Sequence, residues 1–141
     1  MREILFRGKR LDNGEWVEGS LHIEWGETRK DGSRNKDYRI LGMRGECYYV
    51  DPDTVGQYTG LLDYFGNRIF EGDVVEGPCH SAWRHDTQRC VVAYGRYGFE
   101  CRHHIDGLDS DYYTYKVLFS RKVEVIGNIH DNKELLDGSE V

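Results

Sequence analysis

Proline is nearly missing from this chain, with two in 141 residues, and long uncharged runs are missing altogether. The longest stretch without a charged side chain is residues 54–62, far short of the ~20 apolar residues that a membrane-spanning helix needs. The first nine residues carry Arg2, Glu3, Arg7 and Lys9, so they lack the apolar run of a secretory signal. The expected setting is a reducing cytoplasm, where the four cysteines stay thiols or bind metal. Positive charge is also short: the formal net charge is −6, with ten basic and eleven acidic residues over 1–60 and nine and fourteen over 61–141. Duplex-binding proteins show the opposite bias, because neutralised phosphates supply their affinity. None of the glycines sits in a Walker or dinucleotide fingerprint, which excludes phosphate cradling of those kinds.

Glycine, by contrast, is plentiful at seventeen residues. Each glycine costs a helix interior about 1 kcal/mol, so this abundance points to many turns rather than long helices. Length fits a single β-rich domain over 1–141 that buries a core without metal or disulfide staples. Residues 4–11 and 15–23 read as two strands around Asp12-Asn13-Gly14. Their register stays open between a two-residue loop, which sets Leu11 opposite Trp16, and a three-residue loop, which sets Arg10 there. Residues 24–37 are polar and glycine-bearing and read as a long exposed hairpin loop or a disordered insertion. Arg29, Lys30, Arg34 and Lys36 make this the chain's one basic cluster, a solvated loop or a docking site for an anionic partner.

Residues 38–41 and 47–50 form a further hairpin pattern, and Asp63 to Asn67 a turn. Gly72, within Glu71-Gly72-Asp73, suggests a bulge or sharp bend between two short strands, as small barrels need at their corners. Residues 89–103 are the most legible. A turn at Gly95-Arg96 pairs Tyr94 with Tyr97, Val92 with Phe99 and Cys90 with Cys101, one apolar face turned to the core. Residues 109–119 are ambiguous between strand and short helix. Residues 122–129 alternate Val123, Val125, Gly127 and Ile129 on one face, and Asn132 can cap a helical turn through Glu134, Leu135 and Leu136, ended by Gly138. Residues 77–86 read as a variable loop and 131–141 as an acidic tail carrying that short helix.

Several strings resemble the YopX-type family of bacteriophage and prophage proteins. They are Arg2-Glu3-Ile4-Leu5-Phe6-Arg7-Gly8, Gln57-Tyr58-Thr59-Gly60-Leu61 with Asp63, Gly66-Asn67-Arg68-Ile69-Phe70-Glu71-Gly72-Asp73-Val74-Val75, and Val123-Glu124-Val125-Ile126-Gly127-Asn128-Ile129 with Asn132, Glu134, Leu135 and Leu136. His130 and Lys133 depart from the pattern, standing where it carries an aromatic residue and often a proline. The resemblance implies a β-rich fold of small-barrel character, a host-cell cytoplasmic setting and a mobile-element origin. It implies no catalytic residue.

Chemistry-bearing residues fall into four arrangements. Cys79, His80, His85, Cys90, Cys101, His103 and His104 include zinc-type ligands, but no close pair such as C-x₂-C. Cys90 and Cys101 fall on the apolar hairpin face, where cysteine packs as a small hydrophobe. No nucleophile elbow is present, and Asp73 at a glycine bend suits a carboxylate that bonds backbone amides better than a base. Asp106, Asp109 and Asp111 lack the calcium-loop glycine and closing glutamate, leaving turn and cap chemistry. Ten tyrosines, three tryptophans and arginines such as Arg96 and Arg102 supply the ingredients of a single-strand nucleic-acid barrel. The expectation is therefore a mainly β protein of short antiparallel strands around a barrel-like core, with no cofactor, metal or catalytic site. Its expected role is that of a phage accessory protein that binds another protein. Single-strand nucleic-acid binding is the second reading and a metal-dependent enzyme the third.

Overall fold

The computed structural model describes residues 2–78, 87–95, 98–102, 114–115 and 123–135. Eleven strands follow in chain order: β1 (Phe6–Lys9), β2 (Trp16–Trp25), β3 (Lys36–Leu41), β4 (Cys47–Tyr49), β5 (Gly56–Leu62), β6 (Arg68–Phe70), β7 (Asp73–Pro78), β8 (Thr87–Gly95), β9 (Gly98–Arg102), β10 (Thr114–Tyr115) and β11 (Glu124–Asn128). They fall into two compact units, Met1–Tyr58 and Thr59–Val141, with β5 running from one into the other. The pairings β1–β2, β1–β5, β2–β3, β3–β4, β7–β8, β8–β9, β9–β10 and β7–β11 are all antiparallel.

In the first unit the strand order is β4-β3-β2-β1-β5. The β1–β2 register is neither of those expected. Lys9 faces Trp16, Gly8 faces Val17 and Arg7 faces Glu18, so the loop spans the four residues Leu11 to Gly14. Local bonds fix it: Arg10 N–H donates to Glu15 O and Gly14 N–H to Arg10 O, both at 2.9 Å. Gly14 takes a left-handed φ of 73°, and the Asn13 side chain accepts from Glu15 N–H at 2.9 Å. Leu11 is released from the ladder, and its N–H donates to Tyr49 O at 3.0 Å.

That bond begins a barrel-like closure that goes no further. Arg10 and Val50 form one isolated antiparallel bridge, and Asp51 N–H donates to Lys9 O at 2.8 Å. Then Pro52, which has no N–H, opens a single 3-10 turn, Pro52–Thr54. The Thr54 hydroxyl stands in for a strand carbonyl, accepting from Lys9 N–H at 2.9 Å. The barrel expected from sequence is thus not closed among the described residues. Ile40 and Val50 are fully buried inside this unit. A Cβ at Gly8 would lie 3.1 Å from the Val50 side chain, so glycine is what lets β1 pass so close.

In the second unit the order is β10-β9-β8-β7-β11. Ile69, Val75, Cys90, Val92, Cys101 and Val123 form its core, with Leu61, Phe99 and Val125 packed on it. The β8–β9 hairpin is shifted from the expected register: Val92 faces Cys101, Tyr94 faces Phe99 and Gly95 faces Gly98. The expected turn at Gly95-Arg96 does not fit this register, because Gly95 is itself paired; Tyr97, expected to point inward, is outside the described residues. Shifting a pairing by two residues leaves each side chain on its original face, so Cys90, Val92, Phe99 and Cys101 still point inward. Tyr94 does not: it is exposed at the hairpin end, edge-on to Phe99 with ring centroids 5.2 Å apart.

The ambiguous segment 109–119 contributes the strand β10, paired to β9 through Thr114 with Arg102 and Tyr115 with Cys101, rather than a helix at those two positions. Its other residues lie outside the described ones. The alternation expected over 122–129 breaks at a bulge: Val125 faces Val75, whereas Gly127 faces the adjacent Val74. A single 3-10 turn, Lys133–Leu135, takes the place of the expected helical turn. Leu135 N–H donates to Asn132 O at 3.0 Å, and Leu136 and Gly138 lie outside the described residues.

Candidate functional site

The sequence-derived candidates in the second unit resolve into structural roles where they are described. Asp73 is buried and accepts from Phe70 N–H at 2.7 Å across the Glu71-Gly72 turn. Gly72, at φ 91°, donates its N–H to Val92 O and accepts from Ile129 N–H at 2.9 Å. The carboxylate thus closes a bend, as its glycine neighbour suggested. Cys90 and Cys101 are buried, and a hydrogen bond with Cys90, with burial second, holds the Cys101 thiol well above the usual thiol range. A thiol so protonated makes a poor nucleophile or metal ligand. Among the described residues no group of three His, Cys, Asp or Glu side chains is placed to hold a metal ion. Arg102 donates to Glu100 at 2.8 Å. Cys79, His80, His85, Arg96, His103, His104, Asp106, Asp109 and Asp111 lie outside the described residues.

Sequence reading missed a different residue, Asp63. It is buried, and its two oxygens accept four N–H groups: Oδ1 from Phe65 N (2.9 Å) and Asn67 N (2.8 Å), Oδ2 from Asn67 Nδ2 (3.1 Å) and Val125 N (3.0 Å). Burial pushes its pKa up, but the donors from Val125, Asn67 and Phe65 outweigh burial and hold it below the usual carboxylate value. The turn read at Asp63 to Asn67 gives part of the signal; the reach to Val125 leaves no local mark.

The surface that is neither core nor turn chemistry lies on the first unit. β2 and β3 stay paired well past the buried Ile40: Leu21 with Ile40, His22 with Arg39, Ile23 with Tyr38, Glu24 with Asp37 and Trp25 with Lys36. Pairing continues as a hairpin through residues 26–35, with Gly26 N–H donating to Asn35 O (2.7 Å) and Arg29 N–H to Ser33 O (2.8 Å). Asp31 accepts from the Ser33 hydroxyl and N–H, which lowers its pKa. Residues 24–25 and 36–37, expected within a long loop or insertion, are paired strand ends, which leaves only 26–35 between the strands.

Strand alternation divides this arm into two sides. One is polar, with His22 3.4 Å from Glu24 and Glu24 paired to the Arg39 guanidinium. The other carries Ile23, Tyr38 and Trp25, and at Ile23 and Trp25 it is uncovered, 45% and 58% exposed. Lys36 sits over the Trp25 ring at 5.3 Å, as its place opposite Trp25 dictates. The same pairing of cation and ring recurs nearer the core. Arg7 (4.6 Å) and Lys9 (5.5 Å) both approach the Trp16 ring, and Arg10 covers Tyr48 at 4.1 Å. The signal for the arm was present as Leu21, Ile23 and Trp25 alternating with His22 and Glu24.

Comparison with known proteins agrees with the architecture. The family model described as YopX protein matches residues 5–137. The crystal structure of protein EF1440 from Enterococcus faecalis is similar over 97% of this chain and 100% of that one, at 24% identity and a TM-score of 0.50, a likeness of fold. No curated protein matches. With nearly its whole length covered by that one family model, the chain belongs to the YopX family.

Proposed function

We propose that this chain is a non-catalytic accessory protein of a phage or prophage, acting in the bacterial cytoplasm by binding another protein through the β2–β3 arm. The observation that carries the reading is the arm's uncovered apolar side, Ile23 and Trp25 beside Lys36, backed by an ion-paired polar side. Protein interfaces concentrate their affinity in a few Trp, Tyr and Arg anchors, and Trp25 is a side chain of that kind. Trp25 is a little over half exposed. A tryptophan carries about 200 Å² of surface, so covering the exposed half at ~25 cal/mol per Å² contributes about 2.5 kcal/mol. Loss of that contact corresponds to roughly 70-fold in affinity.

The test is affinity capture from infected or lysogenic cells with tags at either terminus. Wild type should retain a specific protein that Ile23→Ser/Trp25→Ser, still folded, releases. Recovery of no specific protein with either tag, or equal recovery by the double variant, refutes the reading.

One observation favours a second reading. Trp16, with the cationic groups of Arg7 and Lys9 close to its ring, supplies an aromatic side chain beside positive charge, the ingredients of single-strand nucleic-acid binding. Against it stands the acid excess of the chain. Salt-dependent retention on single-stranded DNA or RNA supports this alternative, and absence of binding at low ionic strength removes it.

A further inference from the structure

The loop that joins β1 to β2 holds the chain's one Asn-Gly step, Asn13-Gly14. Both residues are exposed, and a Cβ at Gly14 would meet nothing within 4 Å. Asn13 shapes the loop with its own side chain, Oδ1 accepting from Glu15 N–H at 2.9 Å. That donor draws electron density from Cγ and is in place for the charge the oxygen gains if Cγ is attacked. A nucleophile is tethered beside it. The Gly14 backbone nitrogen can close a succinimide ring on Cγ, with no Gly14 side chain in the way and no encounter to wait for. The leaving group is unheld as well. Asn13 Nδ2 has no hydrogen-bond partner among the described residues, whereas Nδ2 of Asn67, Asn128 and Asn132 donates to Asp63, Asp131 and Glu134. Asn35, the remaining asparagine, precedes Lys36, whose backbone is fixed opposite Trp25. In the exposed Asp31-Gly32 step the Ser33 donors keep the carboxylate ionised, and an ionised carboxylate resists attack. One bond restrains Asn13: Gly14 N–H donates to Arg10 O at 2.9 Å, so reaction waits for that bond to open and for base to take the proton.

We propose that Asn13 is a self-modification site, at which the Gly14 nitrogen displaces ammonia from Cγ and water opens the resulting succinimide to aspartate or isoaspartate. The Cγ–Nδ2 bond breaks as the bond from Cγ to the Gly14 nitrogen forms, and the Gly14 amide proton reaches the departing ammonia through solvent. Water then cleaves one of two bonds. Cleavage at Cγ leaves aspartate; cleavage of the original peptide bond leaves isoaspartate, whose chain runs through the side-chain carbon. Nothing is oxidised or reduced. Either product sets a carboxylate between Asp12 and Glu15, where Arg10 already bonds both Asp12 oxygens and covers Tyr48 at 4.1 Å. Isoaspartate also inserts a methylene into the backbone of a loop that is tied to β4, by Leu11 N–H to Tyr49 O and by the Arg10–Val50 bridge. The conversion therefore loosens the closure of β1 onto β4, with no return to asparagine. It involves none of the residues of the β2–β3 arm and stands or falls apart from the reading of that arm as a binding surface.

The experiment ages the full chain in the folded state at about 37 °C, at about pH 6 and about pH 9, alongside Asn13→Gln. Peptide mapping with electron-transfer fragmentation follows each asparagine and tells aspartate from isoaspartate. The expected result is conversion at Asn13 at least ten-fold faster than at Asn35, Asn67, Asn128 or Asn132, faster at the higher pH, with isoaspartate the larger product. In the converted fraction the Leu11 amide should exchange with solvent at least ten-fold faster than in fresh protein, while aged Asn13→Gln keeps the fresh rate. Conversion at Asn13 less than ten-fold ahead of any other asparagine overturns the site. Product that is aspartate alone, or a rate indifferent to pH, overturns the cyclic step. A smaller rise in Leu11 exchange, or an equal rise in aged Asn13→Gln, overturns the link to β4.

Discussion

Replacing Asp63 by asparagine isolates the chemistry that holds the β5–β6 turn. The carboxylate accepts four N–H groups, two on each oxygen. An amide keeps one acceptor oxygen and turns an NH₂ toward the other two donors. Whichever way it flips, two partly buried N–H groups lose their acceptor. Each such loss costs about 1–2 kcal/mol, so Asp63→Asn should destabilise the second unit by roughly 2–4 kcal/mol at neutral pH. At about 3–4 °C per kcal/mol for a chain of this size, the thermal midpoint should fall by roughly 6–15 °C. Near-ultraviolet circular dichroism measures that midpoint, and amide exchange should show Val125 and Asn67 losing protection first. The pH dependence provides a second check. The folded-state pKa of Asp63 is depressed, so its contribution is complete above the unfolded carboxylate value of about 4 and is lost as pH falls through the lower folded value. The gap between wild type and Asp63→Asn should therefore narrow below about pH 4. A variant within 1 kcal/mol of wild type at pH 7, or a gap that stays constant down to pH 3, would refute the reasoning.

Two further outcomes follow from backbone packing and from the cysteines. A Cβ at Gly19 would overlap the Leu41 carbonyl oxygen, whereas Gly14 has open space around it and only a left-handed φ to protect. Gly19→Ala should thus cost upwards of 3 kcal/mol by urea denaturation and disturb β2–β3 pairing, while Gly14→Ala should cost about 1–2 kcal/mol; equal effects would contradict this. Cys47 is exposed and Cys90 and Cys101 are buried. Iodoacetamide followed by peptide mapping should label Cys47 in the native protein and reach Cys90 and Cys101 only on unfolding, and early labelling of Cys101 would count against a protonated core thiol.

The sequence carried the element types and their inward faces further than their registers. In β8–β9 the alternation of Cys90, Val92, Phe99 and Cys101 identified the inward side, yet any slide by two residues leaves the same side chains inward. What selects the observed slide is contact across the hairpin, with Tyr94 meeting Phe99 edge-on and Glu100 occupying the space where a Gly95 side chain would stand. In β1–β2 the Asn-Gly signal found the hairpin but suggested a tighter loop. The observed four-residue loop is held partly by Arg10 gripping Asp12 through two hydrogen bonds, at 2.9 and 2.6 Å, and partly by Leu11 N–H reaching Tyr49 O. The second of these bonds joins residues far apart in the chain and leaves no local pattern. The bulge after Val125 escaped notice for a similar reason, since Val123, Val125, Gly127 and Ile129 alternate without a break.

The surface proposed for binding and the β5–β6 turn show the same division between local and distant causes. The arm was legible in principle: Leu21, Ile23 and Trp25 on one strand and Lys36, Tyr38 and Ile40 on the other keep a period of two. Its polar, glycine-bearing tip carries the stronger local signal, that of a loop. The β5–β6 turn is the harder case, because the exposure of its apolar side chains goes with something buried. Asp63 is held inside the turn by Phe65 and Asn67 and, 62 residues later, by Val125, whose N–H reaches its second oxygen. With the carboxylate turned inward, alternation at the end of β5 leaves Leu62 outward, and Tyr64 and Phe65 are exposed in the turn itself. A polar residue at the core and apolar residues at the surface therefore arise from one hydrogen-bond arrangement. Any pattern rule that sends apolar residues inward will misread this turn until the partner of Asp63 is known.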